Sequence, residues 1–98
     1  MIFHLILSVV AIGFGIYFKI DRIEWMILML SITLVFVTEI INTSIEFTID
    51  LYTRDKKMFA MLSKDIAAGA VLVSAINALI MGYLIFYERF ATLIQKGL

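Results

Sequence analysis

The sequence predicts an all-α membrane protein, a bundle of three transmembrane helices per subunit in one domain covering residues 1–98. Three observations predict it. Hydrophobic residues make up 63% of the chain, against roughly 45–50% in ordinary soluble domains. A water-soluble chain this short has too little interior to hide so much apolar surface, so a bilayer is the simplest cover. The charged residues, 16% of the total, are gathered in short clusters between long uncharged stretches, and there is no proline to interrupt a helix.

Met1 to Phe18 carries no formal charge, and His4 is its one side chain that titrates near neutral pH. A first helix is expected over about 2–18. A cleaved signal sequence is the alternative, but a basic start and an A-x-A-like site are both missing. Lys19, Asp21, Arg22 and Glu24 mark a turn, and uncharged Trp25 to Thr38 opens a second helix over about 24–50. Arg54, Asp55, Lys56 and Lys57 mark the next loop. The third helix is expected over about 59–90, because Ile66 to Tyr87 runs 22 residues without a charge, long enough to cross a hydrocarbon core. Tyr83, Phe86 and Tyr87 form an aromatic edge of the interfacial kind. Such short connections place neighbouring helices antiparallel. Four basic residues stand on each side, so the positive-inside count is a tie. The denser 51–64 cluster places the 51–58 loop in the cytoplasm and the C-terminus outside.

Several function classes are excluded. The formal net charge is zero, and no basic face marks a nucleic-acid partner. Without cysteine there is no disulfide framework and no thiolate metal site. Gly13 and Gly15 form no dinucleotide fingerprint, and no G-x-x-x-x-G-K-[ST] occurs. Any phosphoryl transfer must therefore use a site of another kind.

The informative segment is EIINTSIEFTIDL, residues 39–51. At about 100° per residue, Glu39, Asn42, Glu46 and Asp50 fall within an arc of about 80°. An intramembrane charge costs roughly 2.5–3.5 kcal/mol on insertion scales, so three acids on one face must meet cations, metal or water. The plainer reading is a polar seam between helices. A hard cation such as magnesium fits the inventory better, since it takes one or two carboxylates and completes its shell with phosphate and water. A second constellation is SKDIAAGAV, residues 63–71. Lys64 at the membrane edge can neutralise phosphate oxygens; an interfacial anchor with a helix-start acid, Asp65, is its plainer reading. Ala67, Ala68, Gly69 and Ala70 read as close helix packing that brings Lys64 and Asp65 beside the acidic stripe. His4 reads as a packed or interfacial histidine before a metal ligand. Tyr17 and Trp25 read as interfacial anchors that can also touch a lipid substrate. Ser74 and Asn77 read as interhelical hydrogen-bonding residues.

The joint pattern of Glu39, Asn42, Glu46 and Asp50 with Lys64, Asp65, Ala68, Gly69, Ala70 and Val71 resembles the prokaryotic diacylglycerol kinase and undecaprenol kinase family over nearly the whole chain. The resemblance implies a homotrimer in the bacterial inner (cytoplasmic) membrane, with MgATP as donor and a membrane lipid alcohol as acceptor. It implies Glu39 as catalytic base and Asn42 as an orienting catalytic group, and Glu46 as magnesium ligand and nucleotide contact. Asp50, Lys57, Lys64 and Asp65 would be nucleotide contacts, and Glu39, Tyr17, Trp25 and Ala68 lipid contacts. His4 is similar to the last residue of the family's E-x-N-F-x-I-H stretch, whose glutamate would fall before Met1. The family's N-terminal amphipathic helix is likewise absent from the 98 residues, so a late start or a truncated chain is expected. TRDKK at 53–57 departs from the family's loop. The IEW run at 23–25 is similar to Gram-positive members and inclines the acceptor toward undecaprenol. Two other classes stay open: an ion-conducting or transporter subunit using Glu39 and Glu46, and a catalytically degenerate kinase relative.

Overall fold

The computed structural model describes residues 1–55 and 57–97. Lys56, counted in the basic cluster above, lies outside them. Three helices follow in order: α1 (Ile2–Phe18), α2 (Arg22–Tyr52) and α3 (Met58–Gln95). They form a rod with extents of 57 × 20 × 20 Å. By length and composition α2 and α3 can each cross a membrane, whereas α1 is a shorter apolar helix of 17 residues. Most of the large apolar side chains are exposed, as expected of a chain whose surroundings are lipid or other copies of itself.

The first turn is determined locally. Lys19 takes a left-handed conformation (φ 54°, ψ 53°) and donates its N–H to Ile16 O, while Ile20 N–H reaches back to Gly15 O. These paired bonds satisfy the last carbonyls of α1. Asp21 then caps α2: its carboxylate accepts from Glu24 N–H, and the Glu24 carboxylate accepts from Asp21 N–H. This reciprocal box starts α2 at Arg22, two residues earlier than its charge pattern suggested. A glycine is required at position 15. A Cβ there would lie 2.8 Å from the Trp25 ring and 3.1 Å from the Ile20 side chain.

α2 and α3 form a long hairpin, and α1 touches it much less extensively. The seam uses small polar residues: Ser31 and Ser74 are buried, and the Thr38 and Ser74 hydroxyls lie 2.8 Å apart. Ile20, Leu28, Ile85 and Phe86 make the apolar core beside the first turn. α3 continues to Gln95, past the expected end at 90, because Arg89 does not stop it. The Arg89 guanidinium turns back to the Glu24 carboxylate with two bonds of 2.6 and 2.7 Å and also donates to Ile85 O. The expected packing of the alanine–glycine run holds for Ala67 alone within the chain. Ala68 and Ala70 are exposed, and a Cβ on Gly69 would meet nothing within 4 Å. Helical periodicity explains this: Ala67 and Ser74 share the face turned to α2, and their neighbours point away.

Candidate functional site

The acidic stripe lies on one face of α2, in two settings. Its upper end meets α1. Glu39 is half-buried, and its Oε1 lies 2.5 Å from His4 Nδ1 and 3.8 Å from the Met1 amino group. This contact ties the start of α1 to α2. α1 therefore begins level with the midpoint of α2, and beyond Glu39 the hairpin stands without it. One turn on, Asn42 donates to Glu46 Oε1 at 3.2 Å. At the lower end, Lys64 at the entry of α3 donates to Asp50 Oδ1 at 2.5 Å, so the expected approach of Lys64 to the stripe is met. Asp65 is exposed and points about 100° away from Lys64 around the helix.

Two oxygens of the stripe, Glu39 Oε2 and Asn42 Oδ1, are buried with no hydrogen-bond partner among the described residues. Buried acceptors without partners carry a desolvation cost of about 1–3 kcal/mol each, so these two oxygens are the atoms of the stripe open to a further donor or cation. The available donors here are all hard oxygens from carboxylate and amide. That set suits magnesium, which takes one or two protein carboxylates and fills its shell with phosphate and water. Among the described residues no three His, Asp or Glu side chains converge as a ready-made metal cage. Any magnesium held here could take only part of its shell from these side chains.

Beside the His4–Glu39 contact an apolar cavity of about 590 Å³ runs between α1 and the hairpin. His4, Ser8 and Val35 line one end, and Phe14, Tyr83 and Phe86 the other. Tyr17 is exposed and stacks edge-on against Phe18, outside this cavity. Trp25 is half-buried against Gly15 and the core. Ala68 faces outward on α3. Lys57 lies before α3 with its ammonium 5.9 Å above the Tyr52 ring. Thus Glu39, Asn42, Glu46, Asp50 and Lys64 follow one another along a single edge. Tyr17, Trp25, Lys57, Asp65 and Ala68 are not brought to it within one chain. His4 is the neighbour of the stripe that the sequence did not place there. Its signal was present, a lone histidine in an uncharged segment, but its partner stands 35 positions away.

A family model described as prokaryotic diacylglycerol kinase matches residues 1–86. The chain is 42% identical over 87 residues to an undecaprenol kinase of Bacillus subtilis, an overlap of 89% of this chain and 71% of that one. It is 35% identical over 80 residues to a diacylglycerol kinase of Synechocystis, covering 81% of this chain but only 46% of the relative. No solved structure matches it.

Proposed function

The chain belongs to the prokaryotic diacylglycerol kinase family, and from that premise we propose that it phosphorylates the hydroxyl of a membrane lipid alcohol with MgATP. The observation that carries this reading is the graded edge of α2. A half-buried carboxylate, whose Oε2 has no partner among the described residues, lies beside an apolar cavity, and more exposed carboxylates and a lysine lie toward the loop.

In this reading the lipid tail occupies apolar surface near the cavity, and the hydroxyl meets Glu39. Glu39 Oε2 takes the hydroxyl proton as the lipid oxygen bonds to the γ-phosphorus of ATP. The bond from that phosphorus to the β–γ bridging oxygen breaks, and ADP leaves. Bound magnesium supplies neutralisation of the phosphate oxygens. Glu46 would hold it, and the Asn42 amide fixes the Glu46 carboxylate from one turn away. Lys64 adds a cation for the phosphates while Asp50 aims its ammonium; Lys57 and Asp65 flank the nucleotide. Tyr17, Trp25 and Ala68 would reach lipid or a neighbouring subunit from outside the single chain. The incomplete metal shell and the outward small residues support a homotrimer with sites shared between subunits. The basic residues around the 51–58 loop support a cytoplasmic placement in the bacterial inner membrane, with three crossings. Membrane-impermeant labelling of single cysteines at Thr53 and Gln95 tests that topology; labelling of Gln95 from the cytoplasmic side would invert it.

Undecaprenol is the favoured acceptor, on the similarity to the Bacillus subtilis kinase. The IEW run adds little to that choice. Glu24 and Trp25 serve the first turn, about 22 Å along α2 from Glu39. The test is transfer of labelled phosphate from ATP to undecaprenol and to diacylglycerol by purified protein in mixed micelles. Label in undecaprenol is expected. Label in diacylglycerol alone changes the acceptor, and label in neither ends the kinase reading.

A further inference from the structure

We propose that His4 is a positioning residue that holds Glu39 by one oxygen and leaves the other as the proton acceptor. This rests on the reading of Glu39 as the base. A glutamate side chain has three rotatable bonds and two chemically equivalent oxygens, so burial alone does not decide which oxygen meets a substrate. Here the two oxygens are in different settings. Oε1 faces α1 and lies 2.5 Å from His4 Nδ1, with the Met1 amino group 3.8 Å from the same oxygen. Oε2 is buried and has no partner among the described residues. No other charged group of the described residues bonds Glu39.

The Ser8 hydroxyl donates to the His4 backbone carbonyl at 2.7 Å, tying the first turn of α1, and the Phe3 ring meets the imidazole edge-on with centroids 5.8 Å apart. The side chains of His4 and Glu39 are only 24% and 13% exposed, which keeps water from competing for the contact. His4 also lines the end of the apolar cavity. The same residue therefore fixes the base and bounds the space through which a lipid hydroxyl approaches. It touches neither the nucleotide edge nor the Glu46 end of the stripe, and so its loss should slow transfer and spare nucleotide binding.

The chain has a single histidine, so ¹⁵N-histidine labelling of the full chain in micelles reads one imidazole. Its Nδ1 resonance should move with Glu39→Gln and stay with Glu46→Gln. For turnover, His4→Leu keeps an apolar side chain of similar bulk and removes the donor; His4→Asn returns an amide donor near the Nδ1 position. His4→Leu should lower kcat for lipid phosphorylation by about 10- to 100-fold, the scale of a reacting group misplaced by an ångström. KM for ATP and MgATP binding should be unchanged, and His4→Asn should recover most of the rate. An imidazole signal indifferent to Glu39→Gln overturns the proposal. So does wild-type turnover in His4→Leu, or a loss that Asn fails to recover and that extends to MgATP binding. If the wild type phosphorylates neither lipid, the kinase reading falls and takes this role with it. An active wild type beside an equally active His4→Leu sinks the histidine alone.

Discussion

Glu39 and Glu46 share a helix face and a chemical type, yet their surroundings differ, and the proposed function gives them different work. Glu39 lies about 16 Å along α2 from Asp50, at 1.5 Å per residue, and is half-buried against α1, whereas Glu46 is exposed and bonded only to Asn42. Glu39→Gln is expected to lower lipid phosphorylation by about 10²- to 10⁴-fold, the usual span for a general base, with MgATP binding nearly intact. Glu46→Gln should weaken both. Nucleotide titration and lipid turnover on the two variants decide it, and equal losses of MgATP binding would refute the division. A structural residue, Gly15, allows an equally direct test. A methyl group there would press on the Trp25 ring at 2.8 Å, and overpacking of this kind costs about 1–3 kcal/mol. Gly15→Ala should therefore lower the midpoint of thermal unfolding in micelles. It should also shift the emission of Trp25, the chain's single tryptophan. The stripe itself was legible in the sequence, because spacing alone puts Glu39, Asn42, Glu46 and Asp50 on one face. Its pairing with His4 was not, because it depends on α1 folding back along α2, and no local period encodes that.

At the level of elements, all three helices were legible as the gaps between charge clusters, and their ends were not. The start of α2 is set by the Asp21–Glu24 box, a signal of side-chain reach that hydropathy does not carry. The end of α3 was misplaced for a related reason. Glu88 and Arg89 were read as the exit into water, but Arg89 is used within the fold, closing α3 onto the start of α2 through Glu24. The pair is only partly screened from solvent, with side chains 31% and 19% exposed. Its two-bond geometry places its worth at the upper end of the 0.2–1 kcal/mol span of surface pairs, about 1 kcal/mol. Glu24→Gln and Arg89→Gln with their double variant form a cycle that measures it in denaturant unfolding. A coupling energy indistinguishable from zero would make the pair incidental. A glutamine at position 24 can still accept the Asp21 N–H, so Glu24→Gln reads the ion pair with the cap retained.

For the whole molecule, the governing fact is that one chain leaves most of its apolar surface uncovered. Gly69 offers a clean probe of what covers it. Beyond its own helical turn, nothing among the described residues lies within 4 Å of a Cβ added there, so Gly69→Leu should leave the α2–α3 hairpin folded. If the proposed trimer packs on this face, the variant should fall apart to smaller species in crosslinking or light scattering. Unchanged assembly would place the subunit contact elsewhere. The inward part of the same small-residue run, Ala67, was read correctly from its type; the rest faces away from α2. One feature of α1 reaches beyond the site. It meets the hairpin at its two ends, through Gly15 against Trp25 and through His4 against Glu39, and between them runs the cavity of about 590 Å³. A segment with so few buried contacts sits at the low end of a protein's ladder of opening energies. The hairpin should therefore act as one cooperative unit that forms first, with α1 docking last and detaching first. In hydrogen–deuterium exchange, amides of α1 are expected to lose protection at milder denaturant than those around Ser31 and Ser74. Glu39 would then lose its partner while most of the protein is still folded, so activity would fail before the fold does.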